Sequence, residues 1–196
     1  MKDLSIGILA YNHEFVLEDL LDSIFKQVTH YTFDIIIGVD LCSDKTLEVA
    51  KNYKKKHQET IYIIEHTSNI GKDANYSSVA SELSGRFGMI VDGDDIFLPG
   101  KIQKICDMFL SNKKLNLVAH PMVLADNNIE LSFGLDKLEL PEIFSMEYMV
   151  SNYLAFGNSQ KAFRMPFNSH GAYMIDFRID IDHVGADGMI GFINEP

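Results

Sequence analysis

Four short runs of aliphatic residues, each followed by a segment with helical spacing, constrain this chain more than any other feature. Leu4–Leu9, Phe33–Val39, Ile61–Ile64 and Phe87–Val91 are near-continuous apolar stretches, without the strict alternation of a half-exposed strand. Phe33–Val39 in particular is continuous enough to suit a strand buried on both faces of a parallel sheet that helices cover. After the first run, Leu17, Leu20, Leu21, Ile24 and Phe25 recur at i, i+3, i+4, i+7 and i+8, the apolar stripe of an amphipathic helix. Leu47, Val49, Ala50 and Tyr53 mark a second helix, with Ser43 as its expected N-cap. Asp73–Leu83 reads as a third, weaker helix. Ile102, Ile105, Cys106 and Phe109 give a fourth, starting near Pro99. This βαβαβαβ order predicts a doubly wound α/β fold, a mixed and mainly parallel Rossmann-like sheet flanked by helices, with right-handed crossovers.

The second half is less regular. Leu115–Leu124 reads as a strand, 126–128 as a turn, and Ile129–Phe133 as a returning strand. Pro141 and Ser145 precede a helix carrying Met146, Met149, Val150 and Tyr153. Residues 156–169 read as a loop and His170–Phe177 as a strand. With no internal repeat and no low-complexity linker, 196 residues predict a single domain, divided functionally into 1–111 and 112–196.

Ligands of doubly wound sheets bind beyond the carboxyl ends of the strands, so the residues after each apolar run carry the functional information. The strongest such group is Asp92-Gly93-Asp94-Asp95, directly after Phe87–Val91. Carboxylates packed this closely repel one another unless a cation or hydrogen bonds compensate. Their oxygens suit a hard cation, Mg²⁺ or Mn²⁺, that also holds substrate phosphates. The alternative is a solvated acidic turn capping the next helix. An EF-hand is excluded, because Ile96, Phe97 and Leu98 stand where further oxygen ligands would be needed.

With 17 Lys+Arg against 28 Asp+Glu, a formal charge of −11 argues against nucleic acid as a partner, since phosphate backbones require clustered cations. The one basic run, Lys54-Lys55-Lys56, reads as a solvated helix end, or at most as a peripheral contact with a membrane surface. No apolar stretch approaches the ~20 residues of a spanning helix, and no signal peptide is evident. Cys42 and Cys106 have neither disulfide-framework nor zinc spacing, and the expected location is the reducing cytoplasm, extending to the inner face of the membrane. The seven histidines form no HxH or HExxH pair, and there is no Walker sequence, GxGxxG or GxSxG elbow.

Five segments, in order, resemble the family-2 glycosyltransferases with the GT-A fold. They are the opening Leu4–Asn12, Leu20–Gln27, Cys42–Thr46, Asn69-Ile70-Gly71-Lys72 with Asn75, and Asp92–Asp95 followed by Leu98-Pro99. The resemblance is clear over 1–111 and thin beyond. It implies an inverting, metal-dependent transfer of a sugar from a nucleoside-diphosphate sugar, UDP-sugars favoured, to a carbohydrate or lipid-linked acceptor in surface glycan synthesis. It assigns nucleotide-sugar contacts to Ala10, Tyr11, Asn12, Glu14, Asp40, Asn69, Lys72, Asn75, Asp92 and Gly93. Asp94 becomes the metal ligand, with Asp92 or Asp95 assisting at the ribose or through water.

The chain departs from the family pattern after the second strand, where two acids are usual and Asp40-Leu41 stands. Asp40 either substitutes for the second acid after a one-residue shift or is a strand-end turn residue. Val184–Ile190 resembles the family's segment bearing the general base near a helix start, with Ala186 in place of Glu and no Trp. It nominates Asp187 as base, with Asp180 and Asp182 as rivals and a plain helix N-cap as the alternative for Asp187. Asn168–Met174 resembles the acceptor-side segment, which gives His170 an acceptor or diphosphate contact or else a structural role. Pro196 follows Asp187 by nine residues, so the acceptor-side half reads as short. The rival reading is therefore a nucleotide-sugar-binding module, or a truncated catalytic domain without full activity. A nucleotidyltransferase would need a Gly-rich, Arg-containing loop where Ala10-Tyr11-Asn12-His13 stands.

Overall fold

The computed structural model describes residues 1–113, 115–120, 160–164, 179–183 and 190–194. The chain packs into two compact units, one built on Met1–Cys106 and the other beginning at Asp107.

The first unit runs β1 (Leu4–Ala10), α1 (Leu17–Phe25), β2 (Phe33–Val39), α2 (Thr46–Lys56), β3 (Ile61–Glu65), α3 (Lys72–Glu82) and β4 (Phe87–Asp92), leading into α4 (Lys101–Ser111). Its strands lie in the order β3-β2-β1-β4. Every pairing is parallel, with Leu4 opposite both Phe33 and Phe87 and Ile35 opposite Ile61. The chain steps outward from β1 to β3 and then returns past β1 to β4. Right-handed crossovers therefore put α1 and α2 on one face and α3 on the other.

Burial explains the apolar runs. All seven residues of β1 are buried, and so are six of the seven in β2, because helices cover both faces. Leu17, Leu20, Leu21 and Ile24 of α1 are inaccessible to solvent, as their spacing requires. On the α3 face, Val79 and Leu83 pack against Leu9 and Ile36. The shared outcome is a sheet whose carboxyl ends all open on one edge.

The expected boundaries shift at three places. Ser43 is not the N-cap of α2, which starts at Thr46. Ser43 instead gives its backbone N–H and its hydroxyl to Asn12 Oδ1, and Asp44 Oδ1 accepts the Thr46 N–H at 3.0 Å. An aspartate two residues ahead thus satisfies a first-turn donor in place of the serine. In the second unit, 160–164 is a strand and not a loop, and Ile190–Asn194 is a strand where a helix was expected after Asp187.

That second unit holds β5 (Leu115–His120), β6 (Gln160–Arg164), β7 (Ile179–His183) and β8 (Ile190–Asn194). All its described pairings are antiparallel, with Val118 opposite both Ala162 and Gly191 and Ile181 opposite Phe192. Cross-strand partners hold 160–164 and 190–194 extended, where local patterning gives no period-2 signal to announce them. The remaining expectations for 121–159 and 165–178 lie outside the described residues, as do those for Asp187 and His170.

Candidate active site

The loops after β1 and β2 are laced together. The Asn12 N–H approaches Cys42 Sγ at 3.4 Å, and the Ser43 N–H donates to Asn12 Oδ1 at 2.9 Å. The Glu14 N–H donates to Asp44 Oδ2 at 3.0 Å, while Glu14 Oε2 accepts from the Lys45 N–H at 2.9 Å. Asn12 adopts φ 55°, a left-handed conformation that asparagine tolerates better than most residues. The side chains of Asn12 and Glu14 therefore shape the loop pair.

At the end of β2, buried Asp40 clasps the loop entering α3. Its Oδ1 accepts the N–H groups of Leu41 (2.8 Å) and Ile70 (2.9 Å), and Oδ2 accepts that of Gly71 (2.9 Å). Burial alone would raise this carboxyl, but the N–H groups of Ile70, Leu41 and Gly71 together hold it below its ordinary 3.8. The strand-end role and the cavity position thus coincide in one residue. Asn75, also buried, donates from Nδ2 to the Gly38 carbonyl at 2.9 Å and sets Oδ1 3.2 Å from His66 Nε2. This contact is why position 38 is glycine, since a Cβ there would collide with Asn75 Oδ1 and Val79.

Beyond β4 stands the acidic turn. Asp92 Oδ2 is 2.8 Å from Lys72 Nζ, and its N–H donates to Asp95 Oδ2 at 3.1 Å. Burial pushes the Asp95 carboxyl up. Nearby, Lys101 lies 3.9 Å from the Phe97 ring centre, and burial pushes its ammonium down to about 7 against the pull of Asp95. Asp94 is exposed and accepts no hydrogen bond among the described residues.

A cavity of about 370 Å³ opens at this edge. Ala10, Tyr11, Asp40, Asn69, Lys72, Asn75, Asp92 and Asp94, all singled out from the sequence, line it. Leu9, Gly71 and His13 complete the wall. Gly93 contributes by absence: a Cβ there would collide with His13 Nδ1 and stand 3.0 Å from the Leu9 carbonyl oxygen. His13 is the residue that sequence reasoning missed, although both its neighbours were singled out. The available signal was Gly93, whose partner only the fold reveals. Asp180 and Asp182 fall on β7 opposite Ile193 and Gly191 of β8.

Among the described residues, no three His, Cys, Asp or Glu side chains converge as a complete cation site. Mg²⁺ and Mn²⁺ commonly take one or two protein carboxylates and complete their shell with phosphate oxygens and water. A lone accessible Asp94 beside Asp92 fits that division of ligands, with a cation shared between protein and substrate.

The sequence pattern described as Glycosyl transferase family 2 matches residues 5–182, most of the chain. The chain belongs to this family. The family-2 chain is 28% identical over 105 residues to a GalNAc(5)-diNAcBac-PP-undecaprenol beta-1,3-glucosyltransferase of Campylobacter jejuni, covering 54% of this chain and 34% of that protein. Two solved structures share its fold. A mannosyltransferase from Pyrobaculum calidifontis, in complex with GDP-Man and Mn²⁺, aligns at TM-score 0.59 and 16% identity, covering 83% of this chain and 44% of that one. S. aureus TarS in complex with UDP-GlcNAc aligns at TM-score 0.58 and 16% identity, covering 89% and 62%. This family-2 chain spans no more than about half the length of the curated relatives it matches. No helix among its described residues is long and apolar enough to cross a membrane.

Proposed function

We propose that the cavity binds a nucleoside-diphosphate sugar, and that the chain transfers the sugar to an acceptor hydroxyl with inversion at the anomeric carbon. One observation carries this reading: Asp94, Asp92 and Lys72 all line a cavity at the carboxyl ends of β1, β2 and β4, with Lys72 and Asp92 paired at 2.8 Å. Acids and a cation so arranged suit a diphosphate that arrives with its own Mg²⁺ or Mn²⁺. When bound, that ion neutralises the charge that develops on the departing diphosphate. Asp94 holds the ion's protein side, Lys72 offers a second positive charge, and Asp92 faces the ribose.

Tyr11, half-exposed at the cavity wall, offers a ring face to the base. Asp40 supports uracil as that base. A carboxylate has about four lone-pair sites, and the N–H groups of Leu41, Ile70 and Gly71 occupy three. The remaining site on Oδ2 suits the N3–H of uracil.

In the transfer, the acceptor oxygen forms a bond to the anomeric carbon as the bond to the diphosphate oxygen breaks, and the diphosphate keeps the electron pair. The acceptor's proton passes to a carboxylate base, a step that contributes roughly 10²–10⁴-fold. Asp187 is the nominee from the sequence, with Asp180 and Asp182 as comparisons. The acceptor in this reading is a carbohydrate or a lipid-linked glycan of surface glycan synthesis, reached at the cytoplasmic face of the membrane. The Campylobacter relative, named for an undecaprenol-linked substrate, supports the lipid-linked form.

A thermal-shift screen of UDP, GDP, CDP and ADP, each with and without Mn²⁺, tests the donor site. Ligands stabilise by RT ln(1 + [L]/Kd), so UDP with Mn²⁺ is expected to raise Tm more than UDP alone and more than the other nucleotides. Indifference of Tm to all four, with and without Mn²⁺, overturns the reading.

A further inference from the structure

His13 stands in the cavity wall without a part in the assignments above. Its backbone is held from both sides: its N–H donates to Thr46 Oγ1 at 2.6 Å, and that hydroxyl donates to Asp44 Oδ1 at 2.6 Å. The next N–H, of Glu14, donates to the other oxygen of Asp44. Position 13 is therefore set before any ligand arrives. Its ring packs onto the backbone of Gly93, which is why that residue has no side chain.

The two ring nitrogens differ. Nδ1 is sealed under Gly93, buried and without a hydrogen-bond partner, whereas Nε2 is not buried in this way. A buried N–H without an acceptor is rarer, and more costly, than a buried lone pair without a donor. The proton of the neutral ring thus belongs on Nε2, leaving the bare Nδ1 against Gly93. The accessible nitrogen is then a hydrogen-bond donor. Gly93 sits between Asp92 and Asp94, so a diphosphate sharing a cation with Asp94 would bring its oxygens alongside the ring.

We infer that His13 donates a hydrogen bond from Nε2 to a phosphate oxygen of the bound nucleoside diphosphate, adding a binding group for the leaving group. This rests on the donor-site reading given above.

Calorimetric titration of UDP and of GDP with Mn²⁺ into the wild-type chain, His13→Phe and His13→Gln tests it. Phenylalanine keeps the ring against Gly93 and removes the donor. Glutamine places its own Nε2 where the imidazole Nε2 stands. Hydrogen bonds to ionised groups are the stronger class, so Phe is expected to weaken binding roughly tenfold, and Gln to restore it to within about threefold of wild type. Equal affinity for wild type and His13→Phe, or Gln as weak as Phe, overturns the role of His13 and leaves the donor site standing. Binding of neither nucleotide by the wild-type chain removes the donor site and this inference together.

Long-range ¹H–¹⁵N spectra of the His13 ring give a readout that does not depend on a variant folding. They are expected to show the proton on Nε2, with its signal moving when UDP and Mg²⁺ are added. A proton on Nδ1, or a ring signal indifferent to UDP that binds, contradicts the inference.

Discussion

Lys72 Nζ lies 2.8 Å from Asp92 Oδ2, joining the first turn of α3 to the end of β4 across the cavity wall. Both side chains are substantially exposed, so the pair contributes at most about 1 kcal/mol to stability. On the proposed donor-site reading its importance is electrostatic, because Lys72 is the lysine among the described residues that line the cavity and would face the diphosphate. Lys72→Met should leave Tm within about 4 °C of wild type and weaken UDP binding in Mn²⁺ roughly tenfold. A large fall in Tm with unchanged affinity would make the pair a structural link instead.

Asp40 makes a pH prediction whose sign is fixed. Its folded-state pKa lies below the ordinary 3.8, so the stability it contributes is present above that value. That contribution is lost as the pH falls through the depressed folded value. Asp40→Asn replaces one acceptor oxygen by a donor facing an N–H, which should cost about 1–3 kcal/mol near neutrality. Melting curves from pH 7 down to pH 3 should show the gap between wild type and variant narrowing at the acid end. Parallel curves would mean that the clasp on Ile70 and Gly71 does not depend on the carboxylate charge.

Gly93→Ala inserts a methyl group against His13 Nδ1 and near the Leu9 carbonyl. Overpacking of this kind costs about 1–3 kcal/mol. A double-mutant cycle of Gly93→Ala with His13→Ala, measured by denaturant unfolding, should show coupling of at least about 0.5 kcal/mol, because removing the ring relieves part of the collision. Additive effects would show that the two residues do not press on each other.

The parallel unit was legible because its signals are local and mutually consistent. Phe33–Val39 is a strand over the span its apolar run indicates, and the stripe Leu17, Leu20, Leu21 and Ile24 is buried as spaced, with Phe25 at its end only half-buried. The punctuation after the strands also led to the cavity, since doubly wound topology places Ala10, Asp40 and Asp92 on one edge whatever their separation in sequence. Legibility failed where a residue's role depends on a distant partner. Ser43 has the composition of an N-cap, but Asn12 captures it. His13 is informative only beside Gly93, eighty residues away. Gln160–Arg164 is a strand by virtue of its antiparallel partner β5, which no local pattern announces.

Asp94 is the residue on which metal-dependent transfer stands or falls. The direct measurement is release of UDP from UDP-sugars in Mn²⁺, by the wild-type chain and by Asp94→Ala, with Tm recorded for both. Transition-state charge stabilisation at a single site is worth about 10²–10³-fold. The wild-type chain should release UDP in Mn²⁺ and stop when the metal is chelated, and Asp94→Ala should lose at least about a hundredfold at an unchanged Tm. Turnover by a folded Asp94→Ala at the wild-type rate would contradict the assignment.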